Sequence, residues 1–256
     1  KADAQVQLVD LRATDPQELT ALVGDAKAVV VPTWPAEPDG ELQASIGTLL
    51  AALQPKQLVG VYDAFGGNDE PIDAVAEQLR NQGLKPAFEP LRIRQLPQGG
   101  DYQRCEESGT DLGQILTRKK SIEALRNMDA NLDKALGRIT GGLYIVTASQ
   151  GEGDARRSGA MVASWVAQAS FRPPGLSVAV AKDRAIEALI QVGDSFVINV
   201  LRQDRYKPLM QHFLKRFPPG ADRFEGVNVL HGAAEGGPVL TDALAYLSCR
   251  VEQRME

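Results

Sequence analysis

Residues 181–189 read AKDRAIEAL and place two basic side chains, Lys182 and Arg184, at the predicted start of a helix. The first N–H groups of a helix lack partners within it, and the helix dipole puts partial positive charge there. Such a place favours a phosphate, which the basic side chains would bind through charge-assisted hydrogen bonds. The alternative is a basic residue that caps a loop beside an ordinary strand, and Asp183 suits a phosphate site only as the N-cap of the helix.

A stretch rich in small residues, residues 161–171, comes just before this turn. Ala163, Ser164 and Ala167 leave the backbone of a predicted strand open to close approach by a flat ligand. The Pro-Pro pair that follows cannot donate to a sheet ladder, so it predicts the end of one strand and the entry to the next. A ring beside this strand and a phosphate at the basic turn together describe a mononucleotide such as FMN.

Two histidines and two cysteines limit the metal and thiol chemistry of the chain. His212 lies in a Leu- and Phe-rich helical segment and is predicted to be structural, whereas His231 precedes glycines in a loop and is predicted to be exposed. Cys105 and Cys249 are far apart, which predicts neither a disulfide framework nor a metal clamp. The sequence therefore predicts no metal site in this chain, and it identifies no catalytic residue.

Composition and charge are those of a soluble globular protein. The 256 residues are 43% hydrophobic and 24% charged, with a net charge of −5. This acidic balance disfavours a nucleic-acid surface spread over the molecule. No apolar run approaches the roughly 20 residues of a membrane span, and the first residues do not resemble a signal peptide. With so few cysteines, a reducing compartment and a cytoplasmic location are expected.

The first half alternates predicted strands with predicted helices. Apolar runs at residues 26–33 and 57–66 predict buried strands, residues 6–11 alternate as a further strand, and residues 87–97 predict a last strand at a sheet edge. This order predicts a doubly wound parallel α/β sheet with its ligand site at the carboxyl ends of the strands. Trp34, on a loop at that end, would either cover a flavin ring or anchor the loop on its own domain.

The second half is richer in strands. After a predicted boundary near Asp129, strands are separated by tight breaks and short helices, which predicts a small antiparallel barrel. Residues 207–217 predict an amphipathic helix whose apolar face is Leu209, Phe213 and Leu214. In this interpretation the chain consists of one domain at residues 1–128 and another at residues 129–256.

The first half resembles a flavodoxin-like domain over residues 1–126. Thr33-Trp34, after one central strand, and AFGG at residues 64–67, after the next, stand where that family places two loops around the flavin ring. The family's first strand, with its phosphate loop, is missing from this sequence, and Gly67-Asn68 replace the usual aromatic sequence of the second loop. The resemblance leaves open whether this half holds FMN or serves as a scaffold or docking domain.

The second half resembles the flavin-reductase-like domain of the cyanobacterial diflavin flavoproteins, the A-type flavodiiron proteins. Whole phrases carry the resemblance, among them GRITGGLYIVTA, RSGAMVASWVAQASFRPPGLSVAVAKDRAIEALIQVGDSFVINVL and PLMQHFLKRFPPGADRFEGV. It implies a split β-barrel that binds FMN. The FMN-binding residues that it implies are Met161, Val162, Ala163, Ser164 and Trp165 on a strand, and Ala181, Lys182, Asp183 and Arg184 at the phosphate turn.

The resemblance also implies an electron-transfer function. In that family a di-iron domain comes first, and electrons pass from NAD(P)H through FMN to the di-iron centre, which reduces O₂ to water. This chain is then expected to lack the di-iron domain and the C-terminal end of the reductase domain, and to form homo- or hetero-oligomers with a homologous flavoprotein. Two alternatives stay open: a flavin-free docking module, and a domain that is reduced by a carrier protein such as ferredoxin.

Overall fold

The computed structural model describes residues 4–34, 38–55, 57–63, 72–93, 96–126, 138–139, 141–182 and 184–255, with the backbone alone for residues 118–126 and for Asp154. Contacts divide the chain into two compact units, Asp3–Asp101 and Tyr102–Glu256. The predicted boundary near Asp129 and the predicted AFGG loop at residues 64–67 lie outside the described residues, and both stay predictions.

A parallel sheet forms the centre of the first unit, as the sequence predicted. Its elements in chain order are α1 (Pro16–Asp25), β1 (Ala28–Pro32), α2 (Gly40–Ala52), β2 (Leu58–Asp63), α3 (Ile72–Asn81), β3 (Lys85–Pro86) and β4 (Leu91–Arg92). Strand β2 pairs in parallel with β1 along its length, with β3 near its start and with β4 at its end. Local signals explain the helix starts, since Asp15 caps α1 by accepting from the N–H groups of Gln17 and Glu18.

Two strand predictions for this unit need correction. Residues 6–11 form no strand, and Val6 and Leu8 are 88% and 97% exposed. An alternating pattern becomes a strand only beside a partner, and this segment pairs with none of the described strands. Of the last strand, predicted over residues 87–97, the described residues form only β4, because Pro90 cannot donate to the ladder; β3 lies just before the predicted range.

Antiparallel sheets form the second unit. Its elements are α4 (Gly99–Arg126, which enters this unit at Tyr102), β5 (Tyr144–Gln150), β6 (Arg157–Ala163), β7 (Val166–Phe171), β8 (Pro174–Val178), β9 (Ser195–Leu201), α5 (Tyr206–Leu214), β10 (Val229–Leu230), β11 (Val239–Leu240) and β12 (Ala243–Arg250). The main sheet has the order β12-β9-β5-β6, and β7-β8 and β10-β11 are two further pairs. Helix α5 buries Leu209 and Phe213 as predicted, whereas Leu214 is 63% exposed and does not belong to its apolar face.

The main sheet has a core on each face. One core contains Val146, Met161 and Phe196, and the other contains Ile145, Leu201 and Phe224. Alternation along each strand sends successive side chains to opposite faces, so neighbouring residues of one strand belong to different cores.

A buried polar cluster fixes the loop before β11 to this sheet. Asn199 is fully buried, donates to the carbonyl of Ile145 at 3.1 Å and accepts from the N–H of Leu240 at 2.8 Å. Thr147 receives a bond from Asn199 at 3.2 Å and donates to the carbonyl of Pro238 at 2.7 Å. Because every partner is buried, these bonds hold the loop in one arrangement.

Candidate functional site

The predicted ring-binding strand is the end of β6 and the connection to β7. Met161 and Ala163 are 8% and 5% exposed and lie in one core, while Val162 packs against the opposite core. Their side chains are therefore committed to packing, and only their backbone is available to a ligand. Ser164 and Trp165, between the two strands, are exposed, Trp165 by 55%.

The predicted phosphate turn lies beside this connection. The N–H of Ala179 donates to the carbonyl of Trp165 at 3.0 Å and extends the β7-β8 pairing, in which Val166 faces Val178. Ala181, Lys182 and Arg184 follow directly and are exposed. The structure thus brings two segments together that are 16 or more residues apart in the chain. Asp183, the remaining predicted residue, lies outside the described residues.

The prediction of a helix after this turn is wrong, because the structure has only a short 3-10 turn there. Residues Ala185–Leu189 form a 3-10 turn of five residues, which buries Ile186 and Leu189. It stops early because Asp194 accepts from the N–H of Gln191, and Gly193, with φ of 91°, turns the chain towards β9. A turn this short has no helix dipole of useful size, so the contribution of a helix N-terminus to phosphate binding falls away.

Two basic side chains remain exposed at this turn. Glu187 is paired with Arg254 at 2.5 Å, so its negative charge is compensated within the unit. Lys182 and Arg184 are exposed on the same turn and carry donors that suit a phosphate.

The β7-β8 hairpin confirms the prediction for the Pro-Pro pair. Pro173 lies in the turn after a cis peptide bond, and Pro174 begins β8. The hairpin exposes large apolar side chains: Phe171 is 81% exposed and Leu176 is 40% exposed, in addition to Trp165. Large exposed apolar side chains of this kind are typical of surfaces that a ligand or a protein covers.

The other residues that the sequence analysis considered, His212, Cys249 and Trp34, lie in environments that suit structural roles. The Nε2–H of His212 donates to the carbonyl of Arg223 at 2.8 Å, and its ring packs edge-on against Phe213, which confirms the structural prediction. Burial raises the pKa of the Cys249 thiol, so it is a weak nucleophile at neutral pH. In the first unit, Trp34 packs against the core, as the loop-anchor alternative predicts. No group of three or more metal-binding side chains occurs among the described residues.

A second concave region was not predicted from the sequence. A cleft of about 280 Å³ lies in the second unit and is lined by Arg156, Ser158, Asp222, Phe224, Val229, His231 and Pro238. These residues come from separate segments, and only His231 stood out in the sequence, as an exposed loop residue. Its exposure is confirmed, but its neighbours could be found only from the tertiary structure.

Comparison with known proteins finds one matching domain model and several relatives. Residues 136–256 match the family model described as the flavin reductase like domain. Over its whole length the chain is 53% identical to "Diflavin flavoprotein A 1" of Synechocystis sp. and 53% identical to "Putative diflavin flavoprotein A 3" of Nostoc sp.. The chain is thus similar over its whole length to proteins named as cyanobacterial diflavin flavoproteins. It spans 44% of the length of each of these two relatives.

Among solved structures, a flavodoxin-like domain from Synechococcus sp. is 49% identical over 46% of this chain and 81% of that chain, with a TM-score of 0.43. The similarity to diflavin flavoproteins that was inferred from the sequence is confirmed, and so is the flavin-reductase-like character of the second half. These matches support a flavin-based oxidoreductase role. Among the described helices, none is long and apolar enough to cross a bilayer.

Proposed function

We propose that the second unit binds FMN at the base of the β7-β8 hairpin and takes part in flavin-based electron transfer. The observation that carries the proposal is the hydrogen bond between Trp165 and Ala179, which places the exposed Ser164-Trp165 connection beside the exposed basic turn. The match of residues 136–256 to the flavin reductase like domain supports the same site.

The residues at this site suit a flavin mononucleotide. Ser164 is small, and its carbonyl oxygen packs against the backbone of Gly141. A Cβ atom at residue 141 would overlap this oxygen, so only glycine allows the two segments to lie so close. The polar edge of the ring would bond to the backbone of residues 163–165, and Lys182 and Arg184 would hold the phosphate. A bound flavin supplies the hydride and one-electron chemistry, while these residues orient it and Trp165 limits access of water.

The proposal for the whole protein extends beyond this chain. NAD(P)H donates electrons to FMN in the second unit, and the flavodoxin-like unit passes them towards a di-iron centre in another domain, which reduces O₂ to water. The names of the relatives support flavin as the electron carrier, and their greater length leaves room for a further domain. Electron entry from a reduced carrier such as ferredoxin is the second candidate for the donor.

We also propose that the protein is a cytoplasmic oligomer. Besides the hairpin, strand β12 is an edge of the main sheet and exposes Leu244, Tyr246 and Leu247 by 67%, 46% and 45%. A homologous flavoprotein or a second copy of the chain would cover these apolar side chains. The net charge of −5 gives no support to nucleic acid as a partner.

An anaerobic titration of the FMN-loaded chain tests the function. We expect the flavin absorption to bleach on addition of NADH or NADPH. Bleaching by reduced ferredoxin alone would select the carrier protein as donor. A chain that fails to take up FMN at all would overturn the proposal and favour the docking-module alternative.

A further inference from the structure

The cleft lined by Arg156 and His231 is separate from the proposed flavin site. Strands β5 and β6 pair Ser149 with Ser158 near the cleft, and Tyr144 with Ala163 at the other end. Five residues of strand separate the two pairs, which corresponds to about 17 Å. A mononucleotide at the hairpin would therefore leave this cleft open.

One wall of the cleft presents hydrogen-bond donors. Nη2 of Arg156 lies 3.2 Å from Nδ1 of His231 and 3.5 Å from Oγ of Ser149. A guanidinium can only donate, so Nδ1 accepts, and the neutral ring carries its proton on Nε2. Arg157 is paired with Glu106 at 3.0 Å, whereas Arg156 has no carboxylate partner among the described residues. The wall thus offers a guanidinium with no ion-pair partner among the described residues, and a second N–H donor.

Helix α4 fixes the backbone on both sides of the cleft. Gln103 donates to the carbonyl of Ser158 at 3.2 Å and accepts from its N–H at 3.3 Å. One helical turn later, the buried Glu107 accepts from Arg223 at 2.8 Å and from the N–H of Gly220 at 2.7 Å. These residues flank Asp222 in sequence. The opposite wall is therefore also held in place before any ligand arrives.

The rest of the lining is apolar apart from Asp222. Phe224 and Pro238 are buried, and Val229 is half-buried. Asp222 accepts from the N–H of Phe224 through Oδ1, which leaves Oδ2 to accept from a ligand. The cleft combines a site for an anion, an acceptor for a hydroxyl and an apolar floor, in a volume suited to a single nucleotide.

We propose that this cleft binds a nucleoside 5′-phosphate. The phosphate bonds to Arg156 and to the Nε2–H of His231, a ribose hydroxyl donates to Asp222, and the base covers Phe224. This binding does not depend on the proposed flavin function, because it uses none of the residues of the hairpin site.

Calorimetric titration of the full chain with adenosine 5′-phosphate tests the proposal, in the absence and in the presence of excess FMN. We expect one nucleotide per chain with the same affinity in both conditions. Arg156→Gln should weaken binding about 10- to 100-fold, because it removes a bond between charged groups. Arg172→Gln is the matched control, since Arg172 is an exposed arginine on the turn of the β7-β8 hairpin.

Titrations with adenosine and with inorganic phosphate measure the two parts of the ligand separately. Each compound should bind more weakly than adenosine 5′-phosphate. The proposal is overturned if adenosine 5′-phosphate does not bind at millimolar concentration, if Arg156→Gln binds as well as the unchanged chain, or if FMN displaces the nucleotide. Inorganic phosphate that binds as tightly as the nucleotide would also overturn it. None of these readings uses a flavin signal, so failure of the flavin function would be seen separately.

Discussion

The two ends of the β5-β6 hairpin build their candidate sites in different ways. At the end near Ala163, beside the base of the β7-β8 hairpin, the candidate site consists of exposed backbone and two exposed basic residues, Lys182 and Arg184. The β7-β8 hairpin also exposes large apolar side chains. At the other end, the cleft is made by side chains from several segments, and hydrogen bonds from Asn199, Gln103 and Glu107 hold its surroundings. The surroundings of the cleft are held in place within one chain, whereas the candidate site at the hairpin is open to solvent.

The largest effect is expected from breaking the buried support of the cleft. Asn199→Ala leaves the N–H of Leu240 and the carbonyl of Ile145 without their buried partner. We expect the free energy of unfolding of the second unit to fall by about 3 kcal/mol. Urea unfolding followed by Trp165 fluorescence, in a Trp34→Phe background that leaves one tryptophan, measures it.

Gln203→Ala is the control for that measurement, because Gln203 is exposed in the turn after β9. It should leave the urea midpoint unchanged. An Asn199→Ala variant with the midpoint of the control would show that the polar cluster does not hold the loop before β11.

The next largest effect is expected on the affinity of the hairpin site for the phosphate of FMN. Replacing both Lys182 and Arg184 with Gln should raise the Kd for FMN about 10- to 100-fold and leave the Kd for riboflavin, which lacks the phosphate, within about twofold. Fluorescence quenching of each flavin gives both constants. Equal losses for FMN and riboflavin would mean that the basic turn shapes the ring site instead of holding phosphate.

A smaller effect is expected from a variant that should weaken binding at the cleft and leave binding at the hairpin site unchanged. Gln103→Ala removes the two bonds to the backbone of Ser158, so the wall of the cleft loosens. We expect adenosine 5′-phosphate to bind about three- to tenfold more weakly, while the Kd for FMN stays unchanged. A parallel loss of FMN affinity would indicate general destabilisation of the unit, and it would remove the distinction between the two sites.

The same contrast explains what could be predicted from the sequence. The hairpin site could be proposed from the sequence because its determinants are close together in the chain: small residues on one strand, a Pro-Pro break and a basic turn. The parallel sheet followed from the apolar runs that became β1 and β2, since strands buried on both faces leave a strong local signal.

Other features depended on tertiary contacts that no local pattern records. The helix predicted after Arg184 is a 3-10 turn, because Asp194 ends it from beyond the apolar run. The strand predicted at residues 6–11 needs a neighbour that the described residues do not provide. The cleft escaped prediction because Arg156 and His231 are 75 residues apart and meet only through the arrangement of the sheet.

The smallest effect is expected at Cys249, which lies on β12 and packs against one core of the main sheet. Burial raises its pKa above the ordinary 9.0, so the folded chain keeps the thiol proton at pH values where the unfolded chain has lost it. The stability that this group contributes is therefore full below pH 9.0 and declines as the pH rises through the folded-state pKa. Iodoacetamide labelling of the native chain, quantified on the Cys249 peptide by mass spectrometry, should show a rate that rises at higher pH than in urea. Coincident native and unfolded profiles would mean that β12 leaves the thiol open to water, and the core on that face of the sheet would then be less tightly closed than the one beneath the cleft.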